Sequence, residues 1–114
     1  MLYELVPQAC KTTSDKPASF AGSVSIDLPS FDERCEIGEH LIVALRDLPE
    51  DIAGLRRARE SVKLAALRVR SVALTKVSNG KVYNSFADIA DDITCQDIMT
   101  EICMAVIVGP TEGN

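Results

Sequence analysis

The residues of this chain that could do covalent chemistry are few, and the first of them is its single histidine. His40 follows Cys35 by five positions in a segment with helical periodicity, and a cysteine next to a histidine base is the natural nucleophilic pair. Five residues along a helix rotate two side chains by about 140° relative to each other, so these two diverge. We therefore expect a surface histidine among carboxylates and no catalytic pair.

Four aspartates form the densest acidic cluster: Asp88, Asp91, Asp92 and Asp97. Hard cations do bind several carboxylates of one loop, but a calcium loop of the EF-hand type needs ligands at alternating positions and a glycine at its bend. This segment has neither the spacing nor the glycine. The acids precede a predicted helix, where the helix dipole favours negative charge, so we expect solvated helix caps and no metal.

The cysteines stand at positions 10, 35, 95 and 103, and no two of them have the short spacing of zinc or redox motifs. Cys95 and Cys103 are two helical turns apart, about 12 Å, which is too far for a disulfide. Phosphate loops, nucleophile elbows and zinc-protease helices are also missing from the sequence. The prediction is a reduced, non-catalytic protein without a cofactor.

Composition and charge narrow the class of protein further. The 114 residues suit a single domain, 1–114, and 46% hydrophobic with 25% charged residues is typical of a folded chain. A net charge of −5 and 4% aromatic residues disfavour nucleic acid as a partner. No apolar run reaches the length of a membrane span, and the first residues do not resemble a secretory signal, so we expect a cytosolic protein without membrane contact.

Periodicity predicts a strand followed by a helix in the first half of the chain. Alternating apolar residues in "FAGSVSIDLP" indicate a half-buried strand that Pro29 ends. Ser30 and Glu33 have the spacing of a capping box, which predicts a helix from Ser30 or Phe31. Gly38 weakens the middle of this helix by about 1 kcal/mol relative to alanine, which favours a kink or a break there.

A second helix is predicted to follow, with Pro49 in its first turn and two acidic residues beside it. Ile52, Leu55 and Ala58 form its predicted inward row. The boundary between this helix and the next strand stays open between Val62 and Arg70.

"RVRSVALTKV" and "SNGKVYNSF" predict a β-hairpin, because Asn79 and Gly80 can both adopt positive φ in a type I′ turn. Ser85 is the predicted cap of a short helical turn. A final buried helix follows and ends at Gly109-Pro110. Its predicted inward residues are Ile98, Ile102, Met104, Ala105 and Val108.

These elements predict an α+β fold, a small antiparallel sheet of three to four strands with helices packed on one face. The polar segment near 7–18 is predicted to be a mobile loop, and residues 110–114 a frayed tail.

Two features of the helices suggest a surface for a protein partner. One helix face needs fewer apolar residues than this segment has: Leu41, Ile42, Val43 and Leu45. The alternative is complete burial of these residues in the core. Arginine forks bind carboxylates, although an arginine run is usually a solvated helix face. The candidate partner-binding residues are Leu41, Ile42, Leu45, Arg56, Arg57 and Arg59.

The order "VALTKVSNGKVYNSFADIADD" followed by "IMTEICMAVIVG" resembles the C-terminal part of small tail assembly chaperones of long-tailed phages. The upstream "SVSIDLPSFDERCEIGEHL" is similar to the openings of small phage morphogenesis proteins. The resemblance implies a small acidic protein without catalysis that binds the tape measure protein or tail tube subunits in the host cytoplasm. Such chaperones are often oligomers, so it also implies a homo-oligomer.

Two other classes stay open. One is a virion structural protein, such as a head or tail connector or a minor component, which would remain in purified particles. The other is a small acidic inhibitor that binds a basic host protein, in which case binding would be sensitive to salt.

Overall fold

A computed structural model of the chain describes residues 1–110, and residues 111–114, most of the predicted frayed tail, lie outside that range. The fold is α+β, as predicted. Its strands and helices are β1 (Leu2–Leu5), β2 (Phe20–Asp27), α1 (Phe31–Leu45), α2 (Glu50–Ala66), β3 (Val69–Lys76), β4 (Val82–Tyr83), α3 (Phe86–Ala90) and α4 (Gln96–Ile107). Short 3₁₀ turns occupy Gln8–Cys10 and Ile93–Cys95.

The sheet has four strands in the order β1-β2-β3-β4, and every neighbouring pair is antiparallel. At its centre Val24 of β2 lies opposite Leu5 on one side and Val72 on the other. The pairing of β2 with β3 shifts register between Ser25 and Ile26. With β1 the sheet has four strands, the larger of the two predicted numbers.

The hairpin predicted around Asn79 and Gly80 is confirmed, but its turn is not of type I′. Gly80 has a φ of 72°, whereas Asn79 has no positive φ. The backbone N–H of Gly80 donates to the Lys76 carbonyl at 2.8 Å, so the loop is longer than a two-residue turn. The side chain of Asn79 instead accepts the N–H of Lys81 at 2.9 Å, a local bond that stabilises the longer loop.

The predicted helix starts are largely confirmed. At the start of α1 the Glu33 N–H donates to the Ser30 hydroxyl at 3.2 Å, and the Ser30 N–H donates to the Glu33 carboxylate at 2.9 Å. Ser85 caps α3 in the predicted manner. α1 is continuous through Gly38, so the predicted break is absent. Pro49 is the N-cap of α2 and precedes its first turn.

The inward row predicted for α2 is wrong. Leu55 is 76% exposed and Ile52 46%, and Ala58 is exposed as well. The buried residue of this helix is Ala65, with Leu64 half-buried beside it. Only the C-terminal half of α2 reaches the protein interior, where the helix packs against α4. α2 ends at Ala66 and β3 begins at Val69, which settles the open boundary.

The core lies between the inner face of the sheet and α4. Val24, Ile26 and Leu74 of the sheet are fully buried, and so is Tyr83. In α4 the predicted residues Ile98, Ile102 and Ala105 are buried, and so is Val106, which was not predicted. Met104 and Val108 are exposed, contrary to prediction. α4 is buried over a wide arc because it packs against both the sheet side and α2, and these two residues lie on the remaining arc.

Candidate protein-binding surface

The predicted partner-binding residues all lie on one unit, the antiparallel pair α1 and α2, here called the helical hairpin. Its inner side is fixed to the core by Ile37 and Leu41 of α1 and by Ala65 of α2. The contact between His40 Nε2 and Glu60 Oε2, at 3.5 Å, joins the two helices. The connecting loop contains Asp47 at a φ of 62°, a left-handed conformation that aspartate tolerates better than most residues.

The structure separates the six predicted residues into two groups. Leu41 is 6% exposed and belongs to the core, so it is not available to a partner. Leu45 is half-buried. Ile42 is 67% exposed, and Arg56, Arg57 and Arg59 are exposed on α2. The surface therefore includes the arginines and Ile42, and only the edge of Leu45.

Exposed apolar side chains surround the loop end of the hairpin, and we call this set the hairpin tip. Its members are Ile42, Val43, Ile52 and Leu55, which are 67%, 63%, 46% and 76% exposed. Ile52 and Leu55 were missed as surface residues because periodicity places them on one face of a helix without showing that this half of the helix extends past the core. Their position directly after the helix start is the signal that could have indicated it.

The molecule is longer in one direction than in the other two. The principal extents are 44, 31 and 27 Å, and the radius of gyration is 14.9 Å. A compact chain of this length is expected to have a radius of gyration of roughly 13 Å.

Charged side chains cover the solvent side of the hairpin below the tip. Glu36 and Glu39 project from α1 away from its buried face, and Arg59 and Lys63 project from α2 in the same way, as the helical repeat of 3.6 residues requires. Within residues 1–110 no ion pair includes Glu36, Glu39 or Arg59, while Lys63 approaches Glu60 at 3.9 Å. The rows of opposite charge lie side by side without neutralising each other.

The single histidine and Asp92 of the acidic cluster contact neighbouring side chains. His40 has Glu60 as its partner, and Asp92 accepts hydrogen bonds from the Tyr83 hydroxyl at 2.5 Å and from Thr94. Burial raises the pKa of the Cys10 and Cys103 thiols, which disfavours the nucleophilic thiolate. Among residues 1–110 no group of histidine, cysteine, aspartate or glutamate side chains has the arrangement of a metal site.

An open groove of about 490 Å³ lies between β1 and α4. Glu101 lies in it and accepts the backbone N–H of Gln8 with both carboxylate oxygens, each at 3.1 Å. Partial burial raises the pKa of this carboxyl group. In the described part of the chain, β1 is a terminal strand of the sheet.

Comparison of the chain with protein-family models, with curated proteins and with solved structures finds no match. In the described part of the chain, none of the helices combines the length and the apolar character that crossing a membrane requires.

Proposed function

We propose that this chain is a non-catalytic protein-binding protein that acts as an assembly chaperone for the tail of a long-tailed phage, with the tape measure protein or the tail tube protein as its partner. The observation that carries the protein-binding part is the hairpin tip. The phage part rests on the resemblance of the segments 23–41, 72–92 and 98–109 to small tail assembly chaperones, and with it the host cytoplasm as the place of action.

The exposure of the tip is energetically unfavourable for an isolated chain. Full burial of a leucine or isoleucine side chain is worth about 1.5 to 3 kcal/mol. Leu55 and Ile42 leave most of that stabilisation unused. Clustered apolar side chains next to charged ones are typical of protein interaction sites.

The tip also lies on a rigid support. Both helices of the hairpin are anchored to the core by buried residues, Ile37 and Leu41 on α1 and Ala65 on α2. Serine substitutions at the tip therefore change the surface and leave the core intact. This makes the proposal testable without unfolding the protein.

The test measures binding of the double variant Ile42→Ser/Leu55→Ser to the purified tape measure protein and tail tube protein of the phage that carries the gene. We expect at least a tenfold loss of affinity, with an unchanged circular dichroism spectrum. The matched control is Ile93→Ser, a change at an apolar residue that is 84% exposed and lies outside the hairpin. Unchanged affinity of the tip variant, or no binding by the natural chain, would refute the proposal.

A second measurement separates a chaperone from a virion component. A chaperone leaves the particle when the tail is complete, so purified virions should lack this chain by mass spectrometry. Its presence at a fixed copy number per particle would favour the structural class instead.

A further inference from the structure

We propose that the solvent side of the helical hairpin binds a second copy of this chain, and that the two copies form a dimer with both hairpin tips at the same end. This goes beyond the proposed function, because it names a self-association surface that is separate from the flanks of the tip and that does not depend on any phage partner.

The first step is the register of the two charged rows. The acidic row is Glu36 and Glu39 of α1, and the basic row is Arg59 and Lys63 of α2. His40 Nε2 lies 3.5 Å from Glu60 Oε2 across the hairpin, and we take this contact as the reference level for the two helices. Glu39 and Arg59 each lie one residue from this contact, on opposite sides of it, so their levels differ by two residues, about 3 Å of helical rise. Glu36 and Lys63 lie four and three residues from it on the same side, so their levels differ by one residue, about 1.5 Å.

The second step is symmetry. Two copies can stack this face on itself about a two-fold axis that is perpendicular to the helices or parallel to them. The perpendicular axis places α1 over α1 of the other copy, so that acidic residues meet acidic residues. The parallel axis places α1 over α2 and preserves the level of each residue. Only the parallel axis brings Glu39 to Arg59 and Glu36 to Lys63, and it does so twice because the contact is reciprocal.

The third step is the size of the face. α2 has 17 residues, which makes it about 25 Å long, and two packed helices are about 20 Å wide. The face therefore covers about 500 Å² in projection, and side-chain relief raises its accessible area towards the roughly 600 to 800 Å² that each partner buries in a stable interface. Val43 and Ile52, at the upper boundary of the face, add apolar contact to the charged rows.

The charges favour this occupant over an unrelated one. A surface with acidic residues in one row and basic residues in a second, separate row is complementary to itself after a half turn. The exposed state of these residues fits such a contact, because Glu36, Glu39 and Arg59 make no ion pair in residues 1–110. In the dimer, Ile42 and Leu55 stay on the outer flanks of two adjacent tips, so that a partner meets a doubled apolar surface.

The experiment uses charge reversal and the full chain. Solution mass is measured by light scattering or sedimentation over a concentration series for the natural chain, for Glu39→Arg and for Arg59→Glu. We expect a dimer for the natural chain and at least a tenfold higher dissociation constant for each variant, because each reversal creates two repulsive pairs. Asp15→Lys, at an exposed carboxylate of the segment between β1 and β2, is the control and should keep the dimer.

Mixing identifies the geometry. An equimolar mixture of the Glu39→Arg and Arg59→Glu chains restores opposite charges at both contacts of the parallel arrangement, so we expect heterodimers with the affinity of the natural chain. The same restoration is expected when both changes are present in one chain. Any of three results would overturn the proposal. The first is a natural chain that stays monomeric up to about 100-fold above micromolar concentration. The others are a dimer that neither charge reversal weakens and a mixture of the two variants that fails to associate.

Discussion

At Gly22 both the backbone conformation and the space around it require the absence of a side chain. It has a φ of 121°, and a Cβ atom placed there would lie 1.8 Å from the carbonyl oxygen of Ala73 on the neighbouring strand. Residues other than glycine rarely adopt this conformation, and the contact is with backbone atoms that cannot rotate away. The glycine thus permits β2 and β3 to approach at this point of the sheet.

We expect Gly22→Ala to lower the free energy of unfolding by roughly 2 to 4 kcal/mol, because strain and the steric clash add. Equilibrium unfolding in urea measures the change. Gly38→Ala is the matched control: a Cβ there meets no atom within 4 Å, and α1 continues through this position. Alanine at position 38 should stabilise the chain by up to about 1 kcal/mol. Similar effects of the two substitutions would contradict the steric argument.

Glu33 links local capping to the pH dependence of stability. The backbone N–H of Ser30, then the Arg68 guanidinium and the Ser30 hydroxyl, lower the pKa of Glu33 from its usual 4.5 to about 2. Between these two values the unfolded chain binds a proton that the folded chain does not. The contribution of Glu33 to stability is therefore complete above about pH 4.5 and is lost as the pH falls towards 2.

We expect Glu33→Gln to flatten the decline in stability between pH 5 and pH 2.5, because glutamine does not titrate. Thermal unfolding followed at half-unit pH steps measures the slope for both chains. Asp15→Asn, at an exposed carboxylate without an ion pair in residues 1–110, should leave the slope as it is. Equal slopes for the natural chain and Glu33→Gln would show that the cap has no part in acid unfolding.

Among the elements, β4 is the shortest strand, and a side chain attaches it to the following turn. The buried Tyr83 donates its hydroxyl to Asp92 Oδ2 at 2.5 Å, and Asp92 also caps the 3₁₀ turn before α4. This bond raises the pKa of Tyr83 and lowers that of Asp92. The phenol thus joins β4 to the turn before α4, together with Lys81, whose Nζ lies 3.4 Å from Asp92 Oδ2.

We expect Tyr83→Phe to destabilise the chain by about 1.5 to 3 kcal/mol, the range for a hydrogen bond to a charged group. The ring contact with Phe20, at 5.8 Å between centroids, is retained, so the loss reports the hydroxyl alone. Tyr3→Phe, at a half-buried tyrosine of β1, serves as control with an expected change within 0.5 kcal/mol. A loss of the same size at both positions would mean that the bond to Asp92 adds nothing.

The elements also show which parts of the fold were predictable. Capped starts were predicted correctly because a cap is local: Ser30 and Ser85 bond to residues three positions away. β1 was less evident because four residues carry little periodicity, and its existence depends on pairing with β2. The type of the turn at Asn79 depended on the strand ends, which the sequence does not reveal.

The candidate surface was predicted only in part, for a related reason. Leu41 and Ile42 are adjacent in sequence, yet one is in the core and the other is 67% exposed. Hydrophobicity gives both the same weight, and only the packing of α1 on the core separates them. The same applies to Ile52 and Leu55, whose apolar row is real but lies outside the half of α2 that reaches the core.

For the whole molecule, the sheet and the helical hairpin differ in how far their residues are buried. The sheet and α4 contain most of the fully buried residues, while the hairpin contributes a few anchors and the exposed tip. The proposed dimer would place two sheets apart and two tips together. The proposed partner then meets one apolar surface made by two chains, which raises the local concentration of binding sites.

The place of the hairpin in the chain has a consequence for evolution and for engineering. β2 and β3 are neighbours in the sheet, and α1 and α2 together form the connection between them. The loop between the helices therefore lies in the middle of a long connection, and the pairing of β2 with β3 fixes both ends of that connection. Loops of this kind tolerate changes in length at small entropic cost. Substitutions or insertions around residues 46–49 can therefore change the exposed end of the hairpin while the sheet keeps its register.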